Sequence, residues 1–290
     1  MDGDVIVLDS ATGEEMARIG LGFGANPVEV LPFHDNKTLY VSKRGHDEIA
    51  VIDAGTNSLK TVIKTGIHPN FMSFSRDWKY LIVATNQGGK AMVIDLESNA
   101  VVSEPRVGLG ASGVAVTNDN RFAYVTSIYA NDISVIDLRR MERVSTIHAP
   151  GAIAIVTPPG SHLAYFCSHR DRVSILDTRT NEIVGHIKVG DTPNYITLTP
   201  DGGLAFVSNA LSGTVSVIDL HGRSVLKNIK VGTEPGSSAI SPDGRFVFVT
   251  NYGKGSNDSS ISVIDVETLE EVDRIKVWRY PRGIAVLPAE

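Results

Sequence analysis

One cysteine, Cys167, is all that the 290 residues contain. A lone thiol excludes an internal disulfide, any CxxC metal or redox pair, and a CxxCH site for covalent haem, while such scarcity suits oxidising and reducing compartments equally. Long apolar runs are also missing. Nothing approaches the roughly 20 residues of a membrane span, and the opening "MDGDVIVLDSATGEEM" lacks the basic and then apolar order of a signal peptide. A leader removed ahead of this numbering, with Met1 added, is compatible with that opening. Excess positive charge is absent too. The formal net charge is -6, which argues against a general affinity for nucleic acid or anionic lipid. No GxxxxGK[ST] or GxSxG pattern occurs, so P-loops and nucleophile elbows have no sequence basis.

What the chain has is repetition. Apolar alternations ending in aspartate recur as "VIVLD", "IAVID", "AMVID", "ISVID", "VSILD", "VSVID" and "ISVID", closing at Asp9, Asp53, Asp95, Asp137, Asp177, Asp219 and Asp265. The spacings of 44, 42, 42, 40, 42 and 46 residues divide nearly the whole chain into seven units, so residues 1–290 read as one domain. Within a unit, short β-branched alternations are separated by turn chemistry such as "SPDG" and "VETLE". Four strands per unit, with no helix between units, predict an all-β fold: a seven-bladed β-propeller of four-stranded antiparallel blades. Each blade is apolar on both faces and needs two neighbours, which a closed ring supplies.

The chain begins inside a unit, with "DVIVLD" and "EEMARIG", and ends on "RGIAVLPAE", a first strand. N- and C-terminal strands are therefore expected to share the closing blade. No residues are left for its second strand. Either that blade has three strands or the chain is a piece of a longer one, and the stop at "LPAE", where other units continue as "SPDGR", favours the second.

The motifs "SPDGRFVFVTNYG", "TPDGGLAFVSN", "DNRFAYVTS" and "VSVIDL" resemble the YVTN-type seven-bladed propeller repeat family over residues 5 to 288. The resemblance implies a periplasmic, secreted or cell-surface protein, and a binding or scaffold role more often than a reaction. Similar propellers occur among haem-carrying reductases, amine dehydrogenase subunits and lactonases. The repeated residues themselves are those that build a blade, and fold alone does not choose among these functions.

Function is therefore sought where units differ. The turns of "PDG" and "DLES" type, on one face of the ring, are nearly uniform. The opposite face carries the junction loops "GANPVE", "GIHPNF", "LGASGV", "HAPGAI", "GDTPNY", "GTEPGS" and "WRYPRG" and the loops between second and third strands, which vary. Just after the junction proline stand Val28, Asn70, Gly113, Gly151, Asn194, Gly236 and Arg282, which predicts a funnel mouth with amide donors and one cation, flanked by Phe71 and Tyr195. Glu29 comes one position further along. Trp278 replaces the glycine that other junctions carry at Gly24, Gly66, Gly190 and Gly232, either covering an exposed sheet edge or serving as a recognition anchor. The candidate binding residues are Arg282, Arg279, Tyr280, Trp278, Asn70, Asn194, Tyr195, His68, His169, Arg170 and Arg44. Aromatic and arginine side chains of this kind anchor interfaces, so a protein partner or a small anionic or polar ligand is expected, with the protein a monomer.

The alternatives have weaker sequence support. His46 and His68 border the same blade junction, but no third ligand with metal spacing stands by them and His169 falls about three blades away, so neither a metal nor another cofactor is expected. Stacking of nucleobases on the rim aromatics conflicts with the acids beside them. The enzyme reading is a lactonase-like hydrolase or a haem or quinone redox partner, and it lacks a converging ligand or nucleophile set.

Overall fold

The computed structural model describes residues 3–168, 170–253, 258–277 and 280–288. Six four-stranded antiparallel sheets and one two-stranded sheet follow each other along the chain. Blade 1 consists of Pro27–Pro32, Thr38–Lys43, Glu48–Asp53 and Ser58–Lys64; blade 2 of Pro69–Phe74, Tyr80–Thr85, Lys90–Asp95 and Ala100–Ser103. Blade 3 is built from Ala111–Val116, Phe122–Ser127, Asp132–Asp137 and Glu142–His148; blade 4 from Ile155–Val156, Leu163–Ser168, Arg172–Asp177 and Glu182–Lys188. Blade 5 comprises Pro193–Leu198, Leu204–Asn209, Thr214–Asp219 and Ser224–Lys230; blade 6 comprises Pro235–Ile240, Phe246–Asn251, Ser260–Asp265 and Glu270–Lys276. The two-stranded sheet is the hairpin of Asp4–Leu8 and Glu15–Gly20.

The repeated aspartates do what their position before a turn suggests. Asp9, Asp137 and Asp265 each accept hydrogen bonds from two turn amides, and Asp53, Asp95, Asp177 and Asp219 accept one each. Just before this residue the third strand slips register against the fourth, between Val51 and Ile52, Val135 and Ile136, Ile175 and Leu176, Val217 and Ile218, and Val263 and Ile264. Bulges at one repeated place add twist to every blade, which adjacent sheets need in order to pack face to face around a ring. Between blades lie aliphatic clusters, for instance Val173, Ile175, Ile187 and Val189 of blade 4 against Ile196, Ala205, Val207 and Ile218 of blade 5.

The junction glycines serve space more than conformation. Gly24 has a positive φ of 79°, but Gly66, Gly190 and Gly232 do not. A Cβ on Gly190 would lie 2.7 Å from Asn209 Cγ, and one on Gly232 2.5 Å from Asn251 Cγ, because the last residue of the second strand packs there. The left-handed residue is the one preceding each proline: Asn26, His68, Thr192, Glu234 and Tyr280, with φ between 48° and 58°.

Closure departs from the expectation of terminal strands sharing one blade. Residues 280–288 form no strand. Among the described residues no second strand stands beside them, so their peptide groups have no ladder to join. They occupy the place of an inner strand nonetheless. Thr250 Oγ1 donates both to Ser237 O of blade 6 and to Arg282 O, at 3.0 and 3.1 Å. A Cβ on Gly283 would sit 2.7 Å from Glu29 Cα, so the segment lies flush against blade 1. Ile284 and Val286 pack against the cluster of Phe248, Ile261 and Val263, and Leu287 against that of Leu39 and Val41. Apolar burial holds the segment in place of hydrogen bonding.

Candidate functional site

In blade 2 the inner strand loses its pairing for two residues after the junction proline: Pro69 pairs with Thr85, and the next pair is Met72 with Val83. The amide of Met72, at the end of that gap, donates to Glu29 Oε2 of blade 1. Glu29 Oε1 accepts from the Tyr195 hydroxyl of blade 5 at 3.4 Å. Tyr195 in turn meets Phe71 of blade 2 edge to face, with ring centroids 5.4 Å apart. Three side chains from three blades thus form a crossbar over the axis. Glu29 is only 5% exposed, and burial pushes its carboxyl up to about 8. Burial, and then the Glu29 charge, drive the Tyr195 phenol well above its ordinary value. At neutral pH the pair is therefore held mostly in its protonated form.

A chamber of about 240 Å³ extends from this crossbar toward the turns that join first and second strands. Leu31, Ala115, Ile155 and Leu198 form apolar wall, with Ser73 and Thr157 as polar points. Arg76 stands at its outer end. Its Nη2 donates to Val116 O at 3.0 Å and to Thr157 Oγ1 at 2.6 Å, reaching across blades 3 and 4. Desolvation lowers the guanidinium pKa, with no carboxylate contributing to the shift. Arg76 is exposed and Glu29 buried, so the chamber opens on the turn face. Among the described residues no three His, Cys, Asp or Glu side chains converge as a metal would require.

The residues singled out in the sequence are distributed differently from a funnel mouth. Asn70 is buried and its amide donates to Ser112 Oγ at 3.3 Å; Asn194 donates to Pro235 O at 3.1 Å. Both amides link neighbouring blades. The pleat turns the next position, at Glu29, Phe71 and Tyr195, toward the channel, and Gly113, expected at the position of Asn70, is set by strand pairing level with Phe71 and lines the channel too. Gly236 faces the ring of Tyr252, which would lie 2.4 Å from a Cβ there. Arg282 is half-buried, and its charge pulls the Tyr252 phenol back down against the larger upward push of burial. Tyr195 belongs to the crossbar. His68 takes the left-handed turn position, its amide donating to Asp47 Oδ1 at 2.8 Å and its Nδ1 enclosed without a partner among the described residues. Arg44 Nη2 reaches Asn86 Oδ1 at 3.4 Å, while Arg170 is exposed. Tyr280 is exposed, with its amide donating to Ser259 Oγ at 3.2 Å. Trp278, Arg279 and His169 lie outside the described residues.

Sequence reasoning passed over Arg76 because the turn face looked uniform. The signal was nonetheless present, as "SRDW" stands where other units read "SPDG" and "TPDG". It also missed a second asymmetry. Of the fifteen large hydrophobic side chains exposed among the described residues, Phe23, Ile67, Leu109, Tyr129, Leu211 and Tyr280 lie in variable loops, eight lie on outer strands, and only Trp78 lies in a first-to-second-strand turn.

Known proteins supply an independent comparison. The chain is 27% identical to the protein YncE of Salmonella typhi over 221 residues, covering 70% of this chain and 62% of that protein. It is 26% identical over 252 residues to the seven-bladed beta-propeller protein Rv1057 of Mycobacterium tuberculosis, covering 72% of this chain and 63% of that one. The chain thus spans less than two thirds of either relative. Hydrazine synthase of Kuenenia stuttgartiensis shares the fold, with a TM-score of 0.79 at 19% identity, over 92% of this chain and 91% of that one. Residues 34–159 and 167–283 match the cytochrome D1 heme domain family, and with most of the propeller inside that match, this is the family to which the chain belongs.

Proposed function

We propose that the chain is a seven-bladed propeller of YVTN type that acts as a non-catalytic binding scaffold outside the cytoplasm, holding a protein partner on its variable-loop face. The seventh blade is the closing unit of the N-terminal hairpin and residues 280–288, a count supported by the name of the Mycobacterium tuberculosis relative. The extracytoplasmic location rests on the resemblance of the repeats. One observation carries the binding reading: between the two faces of the ring, the exposed apolar and aromatic side chains of the described residues fall six on the loop face and one, Trp78, on the turn face. Phe23 is 91% and Tyr129 72% exposed there, with Ile67, Leu109, Leu211 and Tyr280 around the same rim. Arg44, Arg170 and Arg282 add cations beside them. An apolar rim with arginines beside it is the composition of an interface core.

The family's description raises haem binding, which the described residues do not fit. The channel does not fit a tetrapyrrole: about 240 Å³ is below the ~300–1,000 Å³ of pockets that bury ordinary small ligands, and the crossbar occupies its middle. On the loop face, His46 Nε2 is engaged with Phe23 O at 3.1 Å, and His68 Nδ1 is enclosed. No step is therefore assigned to a haem.

The test uses two triple variants. Phe23, Leu109 and Tyr280 changed to Ser remove loop-face anchors; Leu59, Val144 and Leu226 changed to Ser remove as many from outer strands. Both should fold. Chemical crosslinking in extract of the source cells, followed by quantitative mass spectrometry, should show a partner lost from the first variant and kept by the second. An unchanged partner set in the loop-face variant overturns the reading.

A further inference from the structure

The chamber beneath the crossbar is independent of the loop-face reading. The geometry points to a second binding site there, for a short-chain monocarboxylate whose carboxylate meets Arg76 and whose alkyl end lies against Leu31, Ala115, Ile155 and Leu198. Size limits the ligand first. At ~30 Å³ per water the space of about 240 Å³ equals roughly eight waters, enough for an acid of about four to six carbons. Polarity then sets its orientation. The walls are apolar, and the inner end is occupied by Glu29 and Tyr195, already engaged with Met72 and with each other. A charged group has one place to go, the outer end.

There Arg76 spends only Nη2 on Val116 and Thr157, which fixes the guanidinium plane and leaves Nε and Nη1 without partners among the described residues. A planar fork fixed in this way loses little freedom on meeting a carboxylate. Nearby acids do not satisfy it. Asp77 Oδ1 accepts from Ser75 Oγ at 2.6 Å and from the Lys79 amide, and Asp119 Oδ1 accepts from Thr117 Oγ1 at 2.6 Å and from the Arg121 amide, each within its own turn. Proline at this position, as in "SPDG" and "TPDG", offers no donor, so Arg76 sets blade 2 apart from blades 5 and 6.

Isothermal titration of the full chain with sodium butyrate and sodium hexanoate tests the site, with n-butylammonium chloride as the cationic control of similar size. Saturable binding of a carboxylate and none of the ammonium is expected. Arg76→Gln should weaken carboxylate binding about tenfold or more, the scale of one charge-assisted pair. Ala115→Leu, which keeps Arg76 and fills the wall, should abolish it, and Lys79→Gln should leave it unchanged. The proposal is overturned if neither acid binds saturably, if Arg76→Gln binds as the parent does, or if butylammonium binds and the acids do not.

Discussion

Replacing Glu29 with Gln should leave the fold's stability almost unchanged in acid and raise it in mild alkali. In the unfolded chain this carboxyl ionises near its ordinary 4.5, whereas burial in the crossbar moves it to about 8. Between those values the unfolded chain has released a proton that the folded one retains. Stability contributed by neutral Glu29 is thus complete below 4.5 and lost as pH rises through 8. At ~1.4 kcal/mol per pH unit the loss is about 1 kcal/mol at pH 5 and about 4 kcal/mol at pH 8. The glutamine side chain has no proton to release, yet its carbonyl can still accept from Met72 and its amide can face Tyr195. The advantage of the variant should therefore grow by about 3 kcal/mol across that interval, roughly 6 °C in Tm for a chain of this size. Other titrating groups near the crossbar do not obscure the result. Tyr195 is pushed to higher pH than this range, and Arg76 stays charged throughout it. Calorimetry of parent and Glu29→Gln at pH 5, 6, 7 and 8 is the assay. Two Tm curves that remain parallel would refute the burial of an unpaired carboxyl at the axis.

Packing at two inner-strand glycines gives further checks. Gly236→Val would drive a side chain into the Tyr252 ring, 2.4 Å from the Cβ position, and should cost about 1–3 kcal/mol; Tyr252→Ala in the same chain should recover part of it, read by denaturant midpoint. Gly283→Val meets backbone instead, at Glu29 Cα and Val28 O, so no single side-chain truncation should rescue it. A lower Tm with faster proteolysis of the terminal segment is the expected outcome, and an unchanged Tm would mean that residues 280–288 do not close the ring.

Period and turn chemistry were legible because they repeat: each unit states the same strand alternation and the same aspartate, so errors in one are corrected by the others. The site was less legible. A junction proline marks where an inner strand starts, but the pleat decides which residue faces the axis, and that shifted the lining from Asn70 and Asn194 to Phe71 and Tyr195. Glu29 and Tyr195 are 166 residues apart, and only ring closure brings them together. The missing second strand was evident in the sequence. Its consequence, a terminal segment held by Ile284, Val286 and Leu287 without a ladder, depended on neighbours that no local pattern names. At Gly190 and Gly232 the constraint is room for Asn209 and Asn251, which only the packed blades reveal.

The crossbar also changes what kind of recognition each face can support. A continuous funnel would let one small ligand draw on loop-face cations and on the channel interior together. With Glu29, Phe71 and Tyr195 meeting across the axis, Arg282 and Arg76 lie on opposite sides of an obstruction and cannot serve one short ligand. The loop face is left with exposed apolar and aromatic groups on its variable loops, suited to a broad surface, whereas the turn face has a narrow chamber and one oriented cation. Contact area can provide affinity on the first, since many side chains share the desolvation. On the second, confinement and a single charge-assisted pair must do so. Were both proposed sites used, geometry would keep a protein-sized partner apart from a small anion, and occupancy of one face would leave the other accessible.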